Sequence, residues 1–211
     1  VLSGKAFRLK AGNYQFEDSA TIPEIVKRLS GGEQFPNERL ITIPEGWNTY
    51  DIAEYLEREG IVAGKDFFEM NRKNLAVRFP FLKEKPVSLG LEGYLFPDTY
   101  RIFREASSEE IVTKMLENFQ KKITPDLLTE ISRQKKTLFQ VITMASLIEK
   151  EVPHEEDRAV VSGVLWKRFG LGMGLQVDAT ISYITRKKST RITAEELAID
   201  SPYNTYKYRG L

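Results

Sequence analysis

The sequence predicts an α+β protein, in which a small module of short strand–helix units is followed by a mostly helical part. Near the amino end, two stretches alternate apolar and polar residues as half-buried strands do, and each runs into a short amphipathic helical pattern. After residue 88, apolar residues recur mainly at helical spacing. Short strand–helix units of the first kind suit a small α+β binding module better than an enzyme core.

A weak internal repeat marks the first module. The segment "TIPEIVKRL" at Thr21–Leu29 aligns with "TYDIAEYL" at Thr49–Leu56, and each carries an apolar stripe. Thr21 and Glu24 have the spacing of a capping box, and Asn48 can cap the second helix. The strand-like stretches "NYQFEDSA" and "RLITIPEG" precede the two helices. Each copy is therefore predicted to form a strand, a turn and a helix.

A mixed connector follows at residues 61–88. It contains "KDFFEMNRK", which we predict to be a helix, and two prolines, Pro80 and Pro86. We place the domain boundary near its end, which divides the chain into 1–87 and 88–211.

The second part begins with "LGLEGYLFPDTYRI", which is dense in glycine, aromatic and acidic residues, and continues as helices. Residues 138–152 have apolar side chains almost all the way round a helical wheel, so we expect this helix to be buried in the middle of its domain. The next helix has acids in its first turn, bases in its last turn and Gly170 as its stop. The predicted helices cover about 108–122, 125–133, 138–152 and 154–170, with one more after the turn in "LGMGLQVDATISYI".

The charge balance argues against a nucleic-acid partner. The 31 Lys and Arg residues nearly match the 30 Asp and Glu residues, so the basic excess of a phosphate-binding protein is missing. Because the sequence has no cysteine and a single histidine, His154, we expect no metal site and no cofactor. We interpret His154 as a surface residue.

The two ends of the sequence also carry expectations. No apolar run reaches the roughly 18 residues that span a bilayer, and the opening segment lacks the features of a signal peptide. We therefore expect a soluble chain. Because the sequence begins inside strand-like alternation and stops at Leu211 without a polar tail, we expect it to be a fragment of a longer protein.

The stretch "SLIEKEVPHEEDR" brings two carboxylates, Glu149 and Glu151, into the last turn of the apolar helix. Two residues apart on a helix, they diverge by about 200° and cannot act as the paired carboxylates of a retaining glycosidase. Desolvation in an apolar helix would make one of them a candidate general acid, and the wheel does not say which. The alternative interpretation is that both are solvated or paired with Lys150 and Arg158.

The order of the segments "MASLIEKE", "EDRAVVSGVLWKRF", "GMGLQVDATISY" and "SPYNTYKYRGL" resembles the endolytic murein transglycosylases, also called the YceG-like family. The segments "LKAGNYQF", "IPEG" and "EGYLFPDTY" extend the likeness over nearly the whole chain. The resemblance implies a LysM-like module at 1–87 and a catalytic domain like that of other lytic transglycosylases at 88–211. It makes Glu151, the second glutamate of "EKE", the catalytic acid, and we assign Glu149 a supporting role.

The resemblance also implies the reaction. Protonated Glu151 would donate to the β-1,4 glycosidic oxygen between N-acetylmuramic acid and N-acetylglucosamine, within a glycan strand. The same carboxylate would then take the proton of the muramyl C6 hydroxyl, which closes onto C1 and leaves a 1,6-anhydromuramyl end. The expected partners are peptidoglycan glycan strands and cell-wall synthases, and not nucleic acid. A single-pass anchor outside this sequence would hold the protein on the cytoplasmic membrane, with this part in the periplasm or facing outward.

Positions that match the family's motifs suggest a cleft around the acid. Amides, hydroxyls and aromatic rings are the groups that bind sugars, and Arg158 is expected to orient a glutamate. The sequence departs from the family by having "VDAT" where a "TDPT"-like segment is usual, and by stopping where the family continues, so we expect the catalytic domain to be incomplete at its carboxyl end. The candidate supporting residues are Glu149, Glu92, Tyr94, Asp98, Arg158, Gln176, Asp178, Thr180, Tyr183, Tyr203, Asn204 and Thr205.

Two other functions remain open from the sequence. A non-catalytic glycan-binding or scaffold protein would use the first module to hold peptidoglycan and the helical part to dock enzymes. A hydrolytic muramidase would use the same acid with water, and Asp178 or Glu92 as its base.

Overall fold

The computed structural model describes residues 14, 16, 20–31, 38–152, 154–187 and 191–210, and within them the protein is α+β as predicted. None of the helices in this part of the chain has the length and apolar character that crossing a membrane requires. In chain order the elements are α1 (Ile22–Gly31), β1 (Glu38–Ile43), α2 (Thr49–Arg58), α3 (Gly64–Asn71), a 3-10 turn (Pro80–Leu82), β2 (Asp98–Phe103), α4 (Ser108–Lys122), α5 (Pro125–Arg133), α6 (Leu138–Glu151), α7 (Glu155–Gly170), α8 (Asp178–Thr185) and α9 (Ala194–Leu197).

The predicted caps of the first helices are confirmed. Thr21 donates from its N–H and its hydroxyl to Glu24 Oε2, at 2.8 Å each. Asn48 accepts from the main-chain N–H groups of Tyr50 and Asp51, and the Asp51 side chain closes the capping box. Both helices of the repeat and the second strand are thus present, whereas most of the first strand-like stretch, at 13–20, lies outside the described residues.

The sheet is a pair of antiparallel strands, β1 and β2, in which Ile41 lies opposite Tyr100. Sequence analysis did not predict β2, because its period-two pattern is hidden in an aromatic and glycine-rich segment. Ile41, Ile43, Tyr100 and Ile102 point into the core. Since β1 and β2 come from either side of residue 87, the segments 1–87 and 88–211 share one sheet.

Two apolar cores lie along α6. The larger contains side chains from the sheet, from α2 to α5, and from the beginning of α6 at Leu138. The smaller is built around Met144, Leu147, Leu165 and Leu175. The two ends of α6 therefore pack into different cores, which fixes the helix along its length.

The expectation that α6 is buried on all sides in the middle of its domain is wrong. Only Leu138, Met144 and Leu147 are buried, and Ala145 and Ser146 face solvent. One flank of the helix is left uncovered because no described element packs against it. The carboxyl end of α6 consequently reaches the surface.

Candidate active site

Two loops contact α6, one near its carboxyl end and one in its first half. In the turn of "IPEG", a Cβ on Gly46 would lie 3.6 Å from Lys150 Nζ, so this turn lies beside Lys150. In "EGYLF", Gly93 has φ +82°, and a Cβ there would come within 2.8 Å of Ile142 Cγ2. Only glycine fits such an approach in this conformation. Segments from both sides of residue 87 therefore meet at α6.

Glu151 ends α6 as an exposed carboxylate and contacts the beginning of α8. Its Oε1 accepts a hydrogen bond from the main-chain N–H of Ala179 at 3.0 Å. The first turn of a helix has unpaired N–H groups and a partial positive charge, which favour an anionic partner. The desolvation expected for one of the two glutamates does not apply to Glu151, because its side chain faces solvent. Its position depends on α8 rather than on burial.

Glu149 points elsewhere and pairs with α7. Arg158 Nη2 lies 3.2 Å from Glu149 Oε2, and both side chains are partly exposed. The Nε of Arg158 is buried without a hydrogen-bond partner among the described residues. The pairing agrees with the expectation that Arg158 acts on a glutamate, and the two carboxylates of "EKE" have separate environments.

Asp178 and Tyr206 lie beside Glu151. Asp178 is the first residue of α8, and the Tyr206 hydroxyl donates a hydrogen bond to its Oδ1. Burial, then this hydrogen bond and the charges of Asp178 and Glu151, raise the pKa of Tyr206 to about 12. Sequence reasoning missed Tyr206, although it is the last residue of the "PYNTY" motif that supplied its three neighbours in the candidate list.

Glu92 joins the first module to α8. Its Oε2 accepts hydrogen bonds from Thr49 N at 3.1 Å, from Thr49 Oγ1 at 2.9 Å and from the Tyr183 hydroxyl at 3.0 Å. Burial, followed by the charge of Glu92, raises the pKa of Tyr183. Tyr203 packs against Tyr183, with 5.3 Å between ring centroids. The structure thus brings together three of the candidate site residues, Glu92, Tyr183 and Tyr203.

Thr180 and Thr205 are buried and hold the backbone around α8. The N–H of Val177 donates to Thr205 Oγ1 at 2.9 Å, and the Thr180 hydroxyl lies 3.1 Å from the Thr205 hydroxyl. Val177 is buried in the smaller core, which is where this chain departs from the family's usual threonine. These two hydroxyls stabilise the fold of the site.

Asn204 is fully buried and makes four hydrogen bonds to the main chain. Its Nδ2 donates to the carbonyls of Leu197 and Ile199, and its Oδ1 accepts from the N–H groups of Tyr206 and Lys207. This amide orders the segment that carries Tyr203 and Tyr206.

Gln176 is exposed and has a left-handed backbone, with φ 55°. Its side-chain oxygen accepts a hydrogen bond from Arg168, and its N–H donates to the carbonyl of Thr205 at 3.1 Å. It lies two residues before α8, at the same end of the helix as Glu151.

Tyr94 and Asp98 have other surroundings. Tyr94 is 1% exposed and packs between Phe81 and Phe119 in the larger core, where burial and then the charge of Glu84 raise its pKa to about 12. Asp98 begins β2 and accepts a hydrogen bond from Asn118 Nδ2 at 2.9 Å, which lowers the pKa of its carboxyl. Their described contacts are with the sheet, α4 and the larger core.

The described part of the chain contains no group of three His, Asp or Glu side chains arranged to bind a metal ion. The polar groups that converge at α8 are carboxylates, phenols and main-chain N–H groups. Such groups can donate and accept protons and bind hydroxyl or amide groups of a ligand.

Comparison with known proteins identifies relatives over nearly the whole chain. The endolytic murein transglycosylase of Streptococcus pneumoniae serotype 2 (strain D39 / NCTC 7466) is 34% identical over 229 residues, covering 96% of this chain and 41% of that protein. Its namesake in Bacillus subtilis (strain 168) is 31% identical over 214 residues, covering 96% and 59%. The chain therefore spans about two fifths to three fifths of the length of these curated relatives.

A solved structure and a family model complete the comparison. The crystal structure of a YceG-like protein from Listeria monocytogenes superposes with a TM-score of 0.74 at 30% identity, covering 97% of this chain and 70% of that one. The sequence model of the YceG-like family matches residues 1–211. The chain belongs to the YceG-like family.

Proposed function

We propose that this chain carries the catalytic centre of an endolytic peptidoglycan lytic transglycosylase, with Glu151 as its acid and base. The observation that carries the proposal is the position of Glu151, an exposed carboxyl at the end of α6 held by the N–H of Ala179. The relatives in Streptococcus pneumoniae and Bacillus subtilis are named endolytic murein transglycosylases, which supplies the substrate and the reaction of this proposal.

The reaction needs one carboxyl group that changes protonation state. Protonated Glu151 donates to the glycosidic oxygen as the bond between that oxygen and C1 of N-acetylmuramic acid breaks. The substrate's N-acetyl group stabilises the positive charge at C1. The muramyl C6 oxygen then bonds to C1, and its proton returns to Glu151. The N–H of Ala179 and the amino end of α8 stabilise the carboxylate between the two steps.

The surrounding residues have supporting roles in this proposal. Arg158 holds Glu149, and Glu92 fixes α8 against α2 through Tyr183 and Thr49. Gln176, Asp178 and Tyr203 are exposed around the same helix and are available to the glycan. Thr180, Asn204 and Thr205 act through the fold, and Tyr94 and Asp98 support the sheet and the larger core.

Hydrolysis is disfavoured by the same contacts. A muramidase needs a second carboxylate that activates water on the far face of the sugar. Glu92 already accepts three hydrogen bonds, and Asp178 accepts the Tyr206 hydroxyl. Both carboxylates are thus engaged in hydrogen bonds within the protein.

The proposal extends to the organisation of the protein. Residues 1–87 act as a LysM-like segment and residues 88–211 as a domain like that of other lytic transglycosylases, although the two share a sheet and a core. Peptidoglycan lies outside the cytoplasmic membrane, so the protein acts there, tethered by a single-pass anchor and working with cell-wall synthases. The homologues' action on murein supports the location.

Mass spectrometry of reaction products tests the proposed function. Uncrosslinked glycan strands are incubated with the purified protein, with Glu151→Gln, and with Glu156→Gln as a matched exposed control on α7. We expect anhydromuramyl ends from the parent and the control, and a loss of at least about 1000-fold in the Glu151 variant. Products that have gained one water would establish hydrolysis. Strands that are bound and left intact by all three proteins would favour the binding or scaffold function.

A further inference from the structure

Three tyrosine rings form a row that runs from the first module across α8. Tyr50, in α2, lies 6.1 Å from Tyr183 between ring centroids, and Tyr183 lies 5.3 Å from Tyr203. Tyr203 is 41% exposed, and the other two are half-buried. We call Tyr50, Tyr183 and Tyr203 the tyrosine row. It presents aromatic surface to solvent, as carbohydrate-binding sites do.

The row lies close to Glu151 along α8. Ala179, whose N–H binds Glu151, and Tyr183 are four residues apart, so they lie on the same face of the helix, about 6 Å apart along its axis. A glycan strand that passes Glu151 along this face would meet the row within about one sugar unit.

Arg186 lies at one end of the row. It follows α8 directly, and its guanidinium carbon is 3.8 Å from the centroid of the Tyr50 ring. The side chain is exposed, and no carboxylate among the described residues pairs with it. Glu92, which accepts hydrogen bonds from Thr49 and from the Tyr183 hydroxyl, forms no ion pair with Arg186. The guanidinium therefore keeps donors that can bind an added anion.

The backbone of Arg186 strengthens the case for a role of its side chain. Arg186 has φ 56° and ψ 22°, the left-handed conformation in which helices commonly end on glycine. A non-glycine residue in this region costs on the order of 1 kcal/mol. Here the residue carries a guanidinium that stacks on Tyr50.

We propose that Arg186 and the tyrosine row form a subsite for a sugar unit that carries a carboxylate, within the strand cut at Glu151. This inference rests on the proposed function. Sugar C–H faces pack on aromatic rings, and a guanidinium binds a carboxylate through two parallel hydrogen bonds. In peptidoglycan the muramyl unit has a lactyl carboxyl group or the carboxylates of its peptide, whereas N-acetylglucosamine has neither. The subsite therefore selects the muramyl unit and sets the register of the strand.

Calorimetric binding to the Glu151→Gln protein tests the subsite without turnover. The ligands are peptide-free glycan strands, peptide-bearing strands, strands whose carboxylates have been converted to methylamides, and chitooligosaccharides of equal length. The variants are Arg186→Met, Tyr203→Ala and the exposed control Arg72→Met in the same background.

We expect Arg186→Met to weaken binding of one or both carboxylated strands about 5- to 20-fold, and to change binding of methylamidated strands and chitooligosaccharides less than about twofold. If Arg186→Met weakens the binding of peptide-free strands, the group that Arg186 binds is the lactyl carboxylate. If it weakens only the binding of peptide-bearing strands, the group is a carboxylate of the peptide. Tyr203→Ala should weaken the binding of every ligand, whereas Arg72→Met should weaken the binding of none.

An equal effect of Arg186→Met on charged and uncharged ligands, or no effect on any, would overturn the inference while anhydromuramyl products from the parent still supported the proposed function. If the parent neither bound nor cut any strand, both would be rejected. Thermal melts of every variant separate lost binding from lost folding.

Discussion

The main-chain N–H of Ala179 donates to Oε1 of Glu151 across 3.0 Å and joins the end of α6 to the beginning of α8. The two residues lie 28 positions apart in the sequence. The proposed acid is therefore held by a helix terminus that only the fold brings to it.

This relationship predicts that Glu151→Gln is nearly neutral for stability. The amide oxygen of glutamine can still accept from Ala179, and the hydrogen bond is exposed, so we expect the melting temperature to stay within about 2 °C. Differential scanning calorimetry of the parent and the variant measures the melting temperature. A fall of more than about 5 °C would mean that lost activity reflects lost structure.

Glu92 is predicted to stabilise the contact between α2 and α8. Glu92→Ala leaves Thr49 N, Thr49 Oγ1 and the Tyr183 hydroxyl without their acceptor, and we expect the free energy of unfolding to fall by about 2–3 kcal/mol. Urea denaturation measures the change. Glu54→Ala, on the exposed side of α2, should change stability by less than about 0.5 kcal/mol. Equal effects of both substitutions would contradict the role given to Glu92.

Asn204 is predicted to act through folding. Asn204→Ala leaves buried carbonyls and N–H groups of the 197–207 segment unpaired, so we expect a loss of about 2–3 kcal/mol in the free energy of unfolding. Tyr203→Phe, one residue away and exposed, should cost less than about 0.5 kcal/mol. A stable Asn204→Ala protein that had lost only glycan binding would instead make Asn204 a ligand-contacting residue.

Burial, and then the hydrogen bond to Asp178 and its charge, raise the pKa of the Tyr206 hydroxyl, so we predict that it titrates late. With a pKa of about 12, Tyr206 should remain mostly protonated at pH 11. In Asp178→Asn, the neighbouring charge is gone and the pKa should fall toward the ordinary 10.0. Nuclear magnetic resonance of tyrosines labelled at Cζ measures this, with Tyr206→Phe identifying the signal.

The raised pKa of Tyr206 makes the stability of the folded protein depend on pH. Tyr206 binds its proton more tightly in the folded state, so its contribution to stability is fully present below pH 10 and is lost as pH rises from about 10 to about 12. Asp200→Asn is the matched control, because Asp200 accepts the Tyr208 hydroxyl and should leave Tyr206 unchanged. An identical titration of Tyr206 in parent and Asp178→Asn would contradict the assignment.

Local sequence determined most of the helices and their ends. Capping residues act within one turn, so Thr21 with Glu24, and Asn48 with its helix, could be predicted without knowledge of the fold. The helices at 108–122 and 125–133 also begin and end where their patterns predict. The family, and the proposal that Glu151 is the acid, followed from the resemblance of motifs in order along the chain.

Tertiary structure decided what lies beside Glu151 and which polar residues are free. Strand β2 and the exposed flank of α6 depend on partners far away in sequence, which periodicity does not encode. The same short motif holds an exposed Tyr203 and a fully buried Asn204, and only packing separates them. Sequence alone thus identified the family and predicted Glu151 as the acid, whereas the fold determined the contacts of Glu151, because hydrogen bonds between distant segments form only when the chain folds.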